Sequence, residues 1–138
     1  MPTQIVSSDR CRALVSDDWA NQQVTGDAFE LMNFIIRKRL SLGRFTVADA
    51  TYLRSLDRLE LIGVARGLSF RVAAIVFDVT LKTCLRRNSE RSRTVPEEAL
   101  RLQHILLRET LGTIEGEGFD EVHVLDERDQ STVTVRIR

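Results

Sequence analysis

The order of apolar patterns along the chain constrains its fold more than any other feature. Short apolar stretches typical of strands alternate with stretches of helical periodicity, and no repeat or linker interrupts this order. Because strand, helix and strand join through right-handed crossovers, the order predicts a mostly parallel sheet with helices on both faces. With 138 residues the chain has room for one domain of this kind, so we expect residues 1–138 to form a single domain.

The apolar patterns also place the individual elements. Strands are expected at residues 3–7, 45–49, 69–79 and 121–125, with a final edge strand through Val133, Val135 and Ile137. Helices are expected from Thr25 or Asp27 to Leu42, from Thr51 or Ser55 to Gly67, over residues 81–87, and from Pro96 onward. Residues 16–23 are expected to form a polar turn region. The apolar run at residues 72–77 has no polar alternation, which favours a strand buried on both faces.

Composition excludes several classes of protein. Lys plus Arg and Asp plus Glu both number 20, so bulk positive charge cannot hold a nucleic acid. The longest apolar run is far shorter than the ~20 residues that span a bilayer, and the start of the sequence does not resemble a secretory signal. Cys11 and Cys84 lie too far apart to suggest a zinc site and are interpreted as packing residues, and His104 and His123 have no evident catalytic partner. We therefore expect a cytoplasmic protein.

Polar residues follow three of the predicted strands. Ser7, Ser8 and Asp9 end the first, Asp49 ends the second and Asp78 ends the third. In a parallel sheet, ligands bind at the carboxyl ends of the strands, so these residues are candidates for a site. The same residue types also cap helices that follow strands, and the pattern alone leaves both interpretations open.

Longer segments resemble a known family. Residues 5–18 (IVSSDRCRALVSDD) and 24–29 (VTGDAF) resemble the kinase module of bacterial polynucleotide kinase-phosphatase, an RNA end-healing enzyme among the P-loop kinases of the AAA-type ATP-binding family. The resemblance continues through residues 38–43 (KRLSLG) and 46–51 (TVADAT) and covers nearly the whole chain. It implies an α/β fold, a P-loop kinase-like three-layer sandwich. It also implies ATP and Mg²⁺ as cofactors, a 5′-hydroxyl end of RNA or DNA as acceptor, and a phosphatase module in the full-length protein.

One part of that family pattern is missing from this sequence. The family opens with an apolar central strand and a G-x-x-x-x-G-K-[ST] loop, and no segment here matches that loop. The loop holds the donor phosphates and magnesium, so we expect little or no kinase activity. The strands at residues 45–49 and 71–77 would each lack a neighbour. We expect a fragment or an incorrect start, with a strand supplied by a partner or by residues 131–138 as alternatives.

The resemblance also assigns roles to particular residues. It implies that Asp9 is the general base for the 5′-hydroxyl and that Arg12 holds a phosphate of the acceptor. It places Arg87, Arg91 and Arg93 in a nucleotide-binding lid around residues 87–95. Arg87 and Arg91 would share a helix face if the helix extended that far.

Three further positions keep alternative interpretations. Asp49 is a candidate to hold magnesium through water, or it caps the next helix. Asp17 and Asp18 are interpreted as turn or cap residues. Tyr52 stands where relatives have Asn, which departs from the pattern of the family.

Three functions remain open. The first is an ATP-dependent polynucleotide 5′-kinase domain for RNA or DNA end healing. The second is a P-loop kinase with a small-molecule acceptor. The third is a non-catalytic remnant or subunit that contacts nucleic acid or completes its sheet with a partner.

Overall fold

A computed structural model of the chain describes residues 2–136. Among these residues, the strands are β1 (Ile5–Ser7), β2 (Val47–Asp49), β3 (Ala73–Phe77) and β4 (Glu121–Leu125). The helices are α1 (Ser8–Ser16), α2 (Thr25–Ser41), α3 (Ser55–Gly67), α4 (Leu81–Ser89) and α5 (Glu97–Thr113). Short 3-10 turns occur at Gln22–Val24, Ile114–Gly116 and Asp129–Ser131. The mixture of parallel strands and helices confirms the expected α/β class.

The residues divide into two compact units. The first unit holds the chain up to Tyr52 together with Leu56–Arg71, and the second holds Leu53–Ser55 and the chain from Val72 onward. The expectation of a single domain stays a prediction. Each unit contains one pair of parallel strands, β1 with β2 in the first and β3 with β4 in the second.

Helix α2 supplies more buried apolar residues to the first unit than any other described element. Its apolar residues recur at helical spacing, and Ala28, Met32, Ile36 and Leu40 are buried as the pattern predicted. The helix ends at Ser41, and Gly43 soon after it has a φ of +69°, a left-handed conformation that favours glycine. The chain then turns directly into β2.

A basic side chain in the last turn of α2 fixes the position of β2. The Arg39 guanidinium donates to the hydroxyl of Thr46 at 3.1 Å and to the carbonyl of Phe45 at 2.9 Å. These residues immediately precede β2, so the helix end and the strand start are joined by side-chain hydrogen bonds. The Val47 amide then donates to the Gln4 carbonyl, which sets the parallel register of β2 against β1.

The second unit contains fewer buried apolar residues than the first unit. Val79 and Ile114 are buried, whereas Ile75 and Phe77 on β3 and Leu102 and Ile105 on α5 are exposed large apolar residues. The Val72 amide donates to the Asp120 carboxylate at 2.7 Å and the Asp120 amide donates to the Val72 carbonyl, so this pair aligns β3 with β4.

Three expectations from the sequence were wrong or incomplete. Strand β3 is not buried on both faces: Ala73, Ile75 and Phe77, which share one face of the strand, are exposed. The final edge strand is absent at residues 133–136, which are exposed and have no strand to pair with, while Ile137 lies outside the described residues. Residues 131–136 therefore supply no strand to either sheet. The pattern analysis also missed α1.

Helix α1 was missed because its sequence has little apolar periodicity. Its buried residues include Ser8 and Arg12, which do not look like core residues in a sequence pattern. No helix formed by residues 2–136 is long and apolar enough to cross a membrane.

Candidate active site

The carboxyl ends of β1 and β2 meet at one edge of the first sheet. Ser7, the last residue of β1, lies opposite Asp49, the last residue of β2. Ser7 and Ser8 are buried, and the chain enters α1 without a break, so Asp9 falls in the first turn of that helix. The expected gathering of polar residues at this edge is therefore present for the first two strands. Asp78 belongs to the second unit, where Arg108 is its ion-pair partner.

An ion pair joins Asp9 and Arg12, the two residues that the resemblance assigns to the acceptor. Nη1 of Arg12 donates to Oδ1 of Asp9 at 2.8 Å, and the two residues are one helical turn apart on α1. The Arg12 side chain is only 10% exposed, whereas that of Asp9 is 60% exposed. The arginine is thus held within the protein, and its carboxylate partner remains accessible to a ligand.

The Arg12 guanidinium has a second contact on α2. Its Nη2 donates to the Thr25 hydroxyl at 3.5 Å, a long hydrogen bond at the start of that helix. Its Nε is buried and makes no hydrogen bond to any described residue. A buried donor without a partner is rare in folded proteins and marks a place where a ligand or water oxygen is needed. Arg12 is therefore not a solvated surface arginine.

Asp9 does not act as the N-cap of α1. The N-cap is Ser7, and no side-chain hydrogen bond caps this helix end. Asp17 ends α1 in the left-handed region, and the Asp18 carboxylate accepts the amide of Ala20. Asp17 and Asp18 are therefore cap and turn residues, as expected. Cys11 is a buried packing residue, and burial raises the pKa of its thiol, with Arg10 lowering it to a lesser extent.

Tyr52 stands just after β2 in an unusual conformation. Its φ of +44° is left-handed, which is rare for an aromatic residue. Its ring packs edge-to-face on Phe29 at 5.7 Å between centroids, and its hydroxyl lies 3.9 Å from the sulfur of Met32. Burial raises the pKa of Tyr52 well above its usual range, and the carboxylates of Asp57 and Glu60 add to the shift. The Tyr52 side chain is therefore neutral and packed against α2.

Arg58 holds the backbone of Tyr52 in that conformation. This arginine on α3 is 3% exposed, and its Nη1 donates to the Tyr52 carbonyl at 2.6 Å. The sequence analysis did not single out Arg58, because an arginine in an amphipathic helix is ordinarily solvated. The only feature of the sequence that could have indicated this role is the position of Arg58, one residue after Asp57 and near the segment at residues 49–51 (DAT).

The arginines assigned to a lid lie in and after α4. Helix α4 ends at Ser89, so Arg87 lies on the helix and Arg91 lies beyond its end; the condition for a shared face is not met. Arg87 donates to the side-chain oxygen of Gln130 at 3.1 Å. Asn88 exchanges two hydrogen bonds of 2.8 Å with the backbone of Val95, which closes the segment containing Arg91 and Arg93 into a loop. The lid role of the three arginines stays a prediction.

A carboxylate after β4 binds Thr80, the N-cap residue of α4. Glu127 accepts the amide of Thr80 at 3.1 Å and its hydroxyl at 3.0 Å. The Thr83 hydroxyl, then the amide and hydroxyl of Thr80, lower the pKa of the Glu127 carboxyl below its ordinary value. The contact joins the segment after β4 to the segment after β3 within the second unit.

The contact between Glu127 and Thr80 predicts that acid destabilises the second unit. A lowered pKa means that the ionised Glu127 stabilises the fold at neutral pH, and that this stabilisation is lost as the pH falls below the ordinary value of 4.5 through the folded value. We expect Glu127→Gln to lower the thermal midpoint slightly near neutral pH, and by progressively less in acid. Circular dichroism melts over about pH 7 to about pH 3 measure this. Glu109→Gln, an exposed change on α5, is the control, and equal pH profiles for the two variants would contradict the prediction.

Parallel strand pairs joined through helices, with polar side chains at the carboxyl ends of β1 and β2, define an α/β ligand-binding domain. The chain matches the AAA domain family over residues 1–109 and belongs to that family. Its fold is P-loop kinase-like, and the two matches support the coarse class of P-loop kinase-type domain.

A curated relative is the mouse (Mus musculus) L-seryl-tRNA(Sec) kinase. It is 31% identical over 70 residues, which cover 51% of this chain and 20% of the mouse protein. The chain thus matches only a small part of the length of this relative.

Family members generally use ATP and Mg²⁺, and the residues of this chain fit that requirement poorly. The sequence contains no G-x-x-x-x-G-K-[ST] loop. No group of three or more His, Cys, Asp or Glu residues placed to bind a metal occurs in the described part of the chain. Asp49 is exposed at the end of β2, and a role in holding magnesium stays a prediction.

Proposed function

We propose that this chain carries the acceptor site of a polynucleotide 5′-hydroxyl kinase that acts in RNA or DNA end healing. The observation that supports the proposal most strongly is the Asp9–Arg12 pair, in which a buried arginine holds an accessible carboxylate at the carboxyl end of β1. In this role Asp9 would receive the proton of the 5′-hydroxyl as the hydroxyl oxygen bonds to the γ-phosphorus of ATP, and the bond from that phosphorus to the bridging oxygen would break to release ADP. Arg12 binds a phosphate of the acceptor strand through its guanidinium.

The position of Arg12 makes this role physically reasonable. A guanidinium presents several donors in one plane and suits a phosphate better than an ammonium does. One donor of Arg12 already holds Asp9, and its Nε has no partner among the described residues. A phosphate oxygen near Arg12 would therefore bring the adjoining hydroxyl close to Asp9.

Binding of an acceptor strand tests the role of Arg12 without requiring catalysis. We expect Arg12→Ala to weaken binding of a fluorescently labelled 5′-hydroxyl oligoribonucleotide by about tenfold or more, because a hydrogen bond to a charged group contributes about 1.5–3 kcal/mol. Arg10→Ala is the matched control, since Arg10 is an exposed neighbour on the same helix. Fluorescence anisotropy measures both. Equal affinities of the two variants would contradict the assignment.

A transfer assay tests the donor side separately. Incubated with labelled ATP, Mg²⁺ and a 5′-hydroxyl oligonucleotide, the 138-residue chain is expected to transfer little or no phosphate, because its sequence has no loop to hold the donor phosphates. An isotopically labelled 5′-phosphate measured on a gel is the readout. Robust transfer would overturn the expectation of inactivity while supporting the kinase assignment.

A second candidate acceptor is a hydroxyl outside a polynucleotide 5′ end, as in a P-loop kinase for small molecules. The match to a protein named L-seryl-tRNA(Sec) kinase favours testing a serine hydroxyl carried by tRNA as well. Competition separates the possibilities. If free nucleosides, sugars or seryl-tRNA displace the labelled oligonucleotide better than an unlabelled 5′-hydroxyl strand does, the second candidate is preferred. If none binds and the chain still folds, the non-catalytic interpretation is preferred.

A further inference from the structure

Helix α2 begins without a polar side chain at its N-cap. The N-cap residue is Val24, and no side-chain hydrogen bond caps this end of the helix. Serine, threonine, aspartate and asparagine are the usual residues at an N-cap, because their side-chain oxygens accept hydrogen bonds from the first amides. The aligned peptide groups of a helix give its N-terminus a partial positive charge, which attracts anions. The start of this 17-residue helix therefore has the polarity of an anion site and no side-chain acceptor of its own.

A buried arginine of α1 points to this helix start. Nη2 of Arg12 lies 3.5 Å from the hydroxyl of Thr25, the first residue of α2, and a hydrogen bond of this length is weak enough for a ligand oxygen to replace it. The Arg12 side chain is 10% exposed, and its Nε has no hydrogen-bond partner among the described residues. A buried guanidinium with an unused donor thus lies beside the positive end of α2. An anion bound there would complete the hydrogen bonding of Arg12.

A glycine leaves space at the same helix start. Gly26 is the second residue of α2 and is exposed, and a Cβ atom built on it would meet no other part of the chain within 4 Å. Glycine inside a helix lowers stability relative to alanine, so the helix itself does not require it. The missing side chain allows a ligand to approach the backbone closely, which is a common use of glycine in binding sites.

We propose that the start of α2 and Arg12 together bind one phosphate group, and that Gly26 keeps the approach to it open. This role rests on the proposed function: the phosphate is the phosphodiester that joins the first two nucleotides of the acceptor strand. Asp9 pairs with Arg12 on the side away from Thr25 along the guanidinium, through Nη1 instead of Nη2. A strand whose 5′-hydroxyl lies at Asp9 would therefore have its first phosphodiester at Arg12 and Gly26.

A steric change at Gly26 tests the role of the helix start. Gly26→Leu is expected to weaken binding of a labelled 5′-hydroxyl oligoribonucleotide by about tenfold, because the leucine side chain occupies the space that the phosphate needs. The thermal midpoint is expected to stay the same or to rise, because leucine favours a helix more than glycine does. Gly63→Leu on α3 is the matched control, since Gly63 is exposed and has the same open surroundings. Equal affinities of the two variants would overturn the proposal.

A charge change in the same helical turn has the opposite expected effect. Asp27 places an exposed carboxylate in the first turn of α2, where it repels a bound phosphate. Asp27→Asn is therefore expected to tighten strand binding by roughly two- to fivefold, the fold-change that corresponds to one charge near a helix end. Unchanged or weaker binding would place the phosphate away from this turn and contradict the proposal.

A strand with one uncharged linkage tests which phosphate is bound. Replacing the first phosphodiester with a methylphosphonate is expected to weaken binding about as much as Gly26→Leu does, and Gly26→Leu should then cause little further loss. A strand with the methylphosphonate at its fourth linkage is the control and should bind like the unmodified strand. If the two modified strands bind equally well, the start of α2 does not hold the first phosphodiester.

Inorganic phosphate tests the site without a polynucleotide. In an amide NMR titration, the signals of Gly26 and Asp27 are expected to shift with phosphate and not with sodium chloride of the same ionic strength, while Gly63 serves as the internal control. Absence of this response would overturn the phosphate site, even if a strand binds through Arg12. A response without any strand binding would support the phosphate site and contradict the polynucleotide acceptor, so the two failures are distinguishable.

Discussion

Replacing Met32 with alanine is expected to reduce the free energy of unfolding of the first unit by about 2–5 kcal/mol, the range for large-to-small changes in a close-packed core. Met32 is fully buried in the middle of α2, and its sulfur contacts the hydroxyl of Tyr52. The change removes apolar burial and leaves a cavity that the surrounding helix does not fill. The single tryptophan, Trp19, lies in this unit, so urea unfolding followed by its fluorescence reports the effect.

An exposed apolar residue provides the control for Met32. Leu14 on α1 is 67% exposed, and Leu14→Ala should change the unfolding free energy by less than about 0.5 kcal/mol. Comparable losses in the two variants would show that Met32 is not part of a packed core in solution. The result is independent of any activity, so it tests the fold around the acceptor site directly.

Replacing Arg58 with methionine is expected to cost about 1–3 kcal/mol, because the Tyr52 carbonyl loses its buried donor. Methionine keeps much of the length of the side chain but cannot donate, so the hydrogen bond from Nη1 is lost. Without this hydrogen bond, the left-handed backbone conformation of Tyr52 is less restrained. We also expect the segment after β2 to become more mobile, which faster amide hydrogen exchange of residues 50–54 would report.

Arg66→Met is the matched control for this change. Arg66 lies on the same helix but is exposed, so the variant should unfold within about 0.5 kcal/mol of the unchanged chain. If Arg58→Met were as stable as Arg66→Met, the hydrogen bond to Tyr52 would not contribute to the fold. If stability fell while exchange of residues 50–54 stayed the same, Arg58 would stabilise the helix and not the Tyr52 conformation.

The elements with strong periodicity could be predicted from the sequence. The apolar stripe of α2 can be recognised from the sequence, because residues four apart face the same side of any helix. In the structure Ala28, Met32, Ile36 and Leu40 are buried. The strand at Glu121–Leu125 and the helix that follows Pro96 were also correctly predicted. Helix α1 was not, because its buried face contains a serine and an arginine whose role depends on neighbouring elements.

Burial was predicted less well than secondary structure. The apolar run of β3 predicted a strand with two covered faces, yet Ile75 and Phe77 are exposed. A sequence pattern records what a strand is able to bury, whereas the elements that pack on its faces and pair with its edges decide what it does bury. For the same reason the alternation of Val133 and Val135 did not produce a strand, as no described strand pairs with those residues.

The candidate site depends both on local sequence spacing and on tertiary packing. The sequence by itself determined that polar and acidic residues follow the first two strands, and the family resemblance singled out Asp9 and Arg12. Only the tertiary structure decided that Arg12 is buried against Thr25, that Ser7 lies opposite Asp49, and that Arg58 holds Tyr52. Local spacing follows from the geometry of one helix or strand, but burial and partners of a charged side chain arise from segments far apart in the chain, and folding alone brings these together.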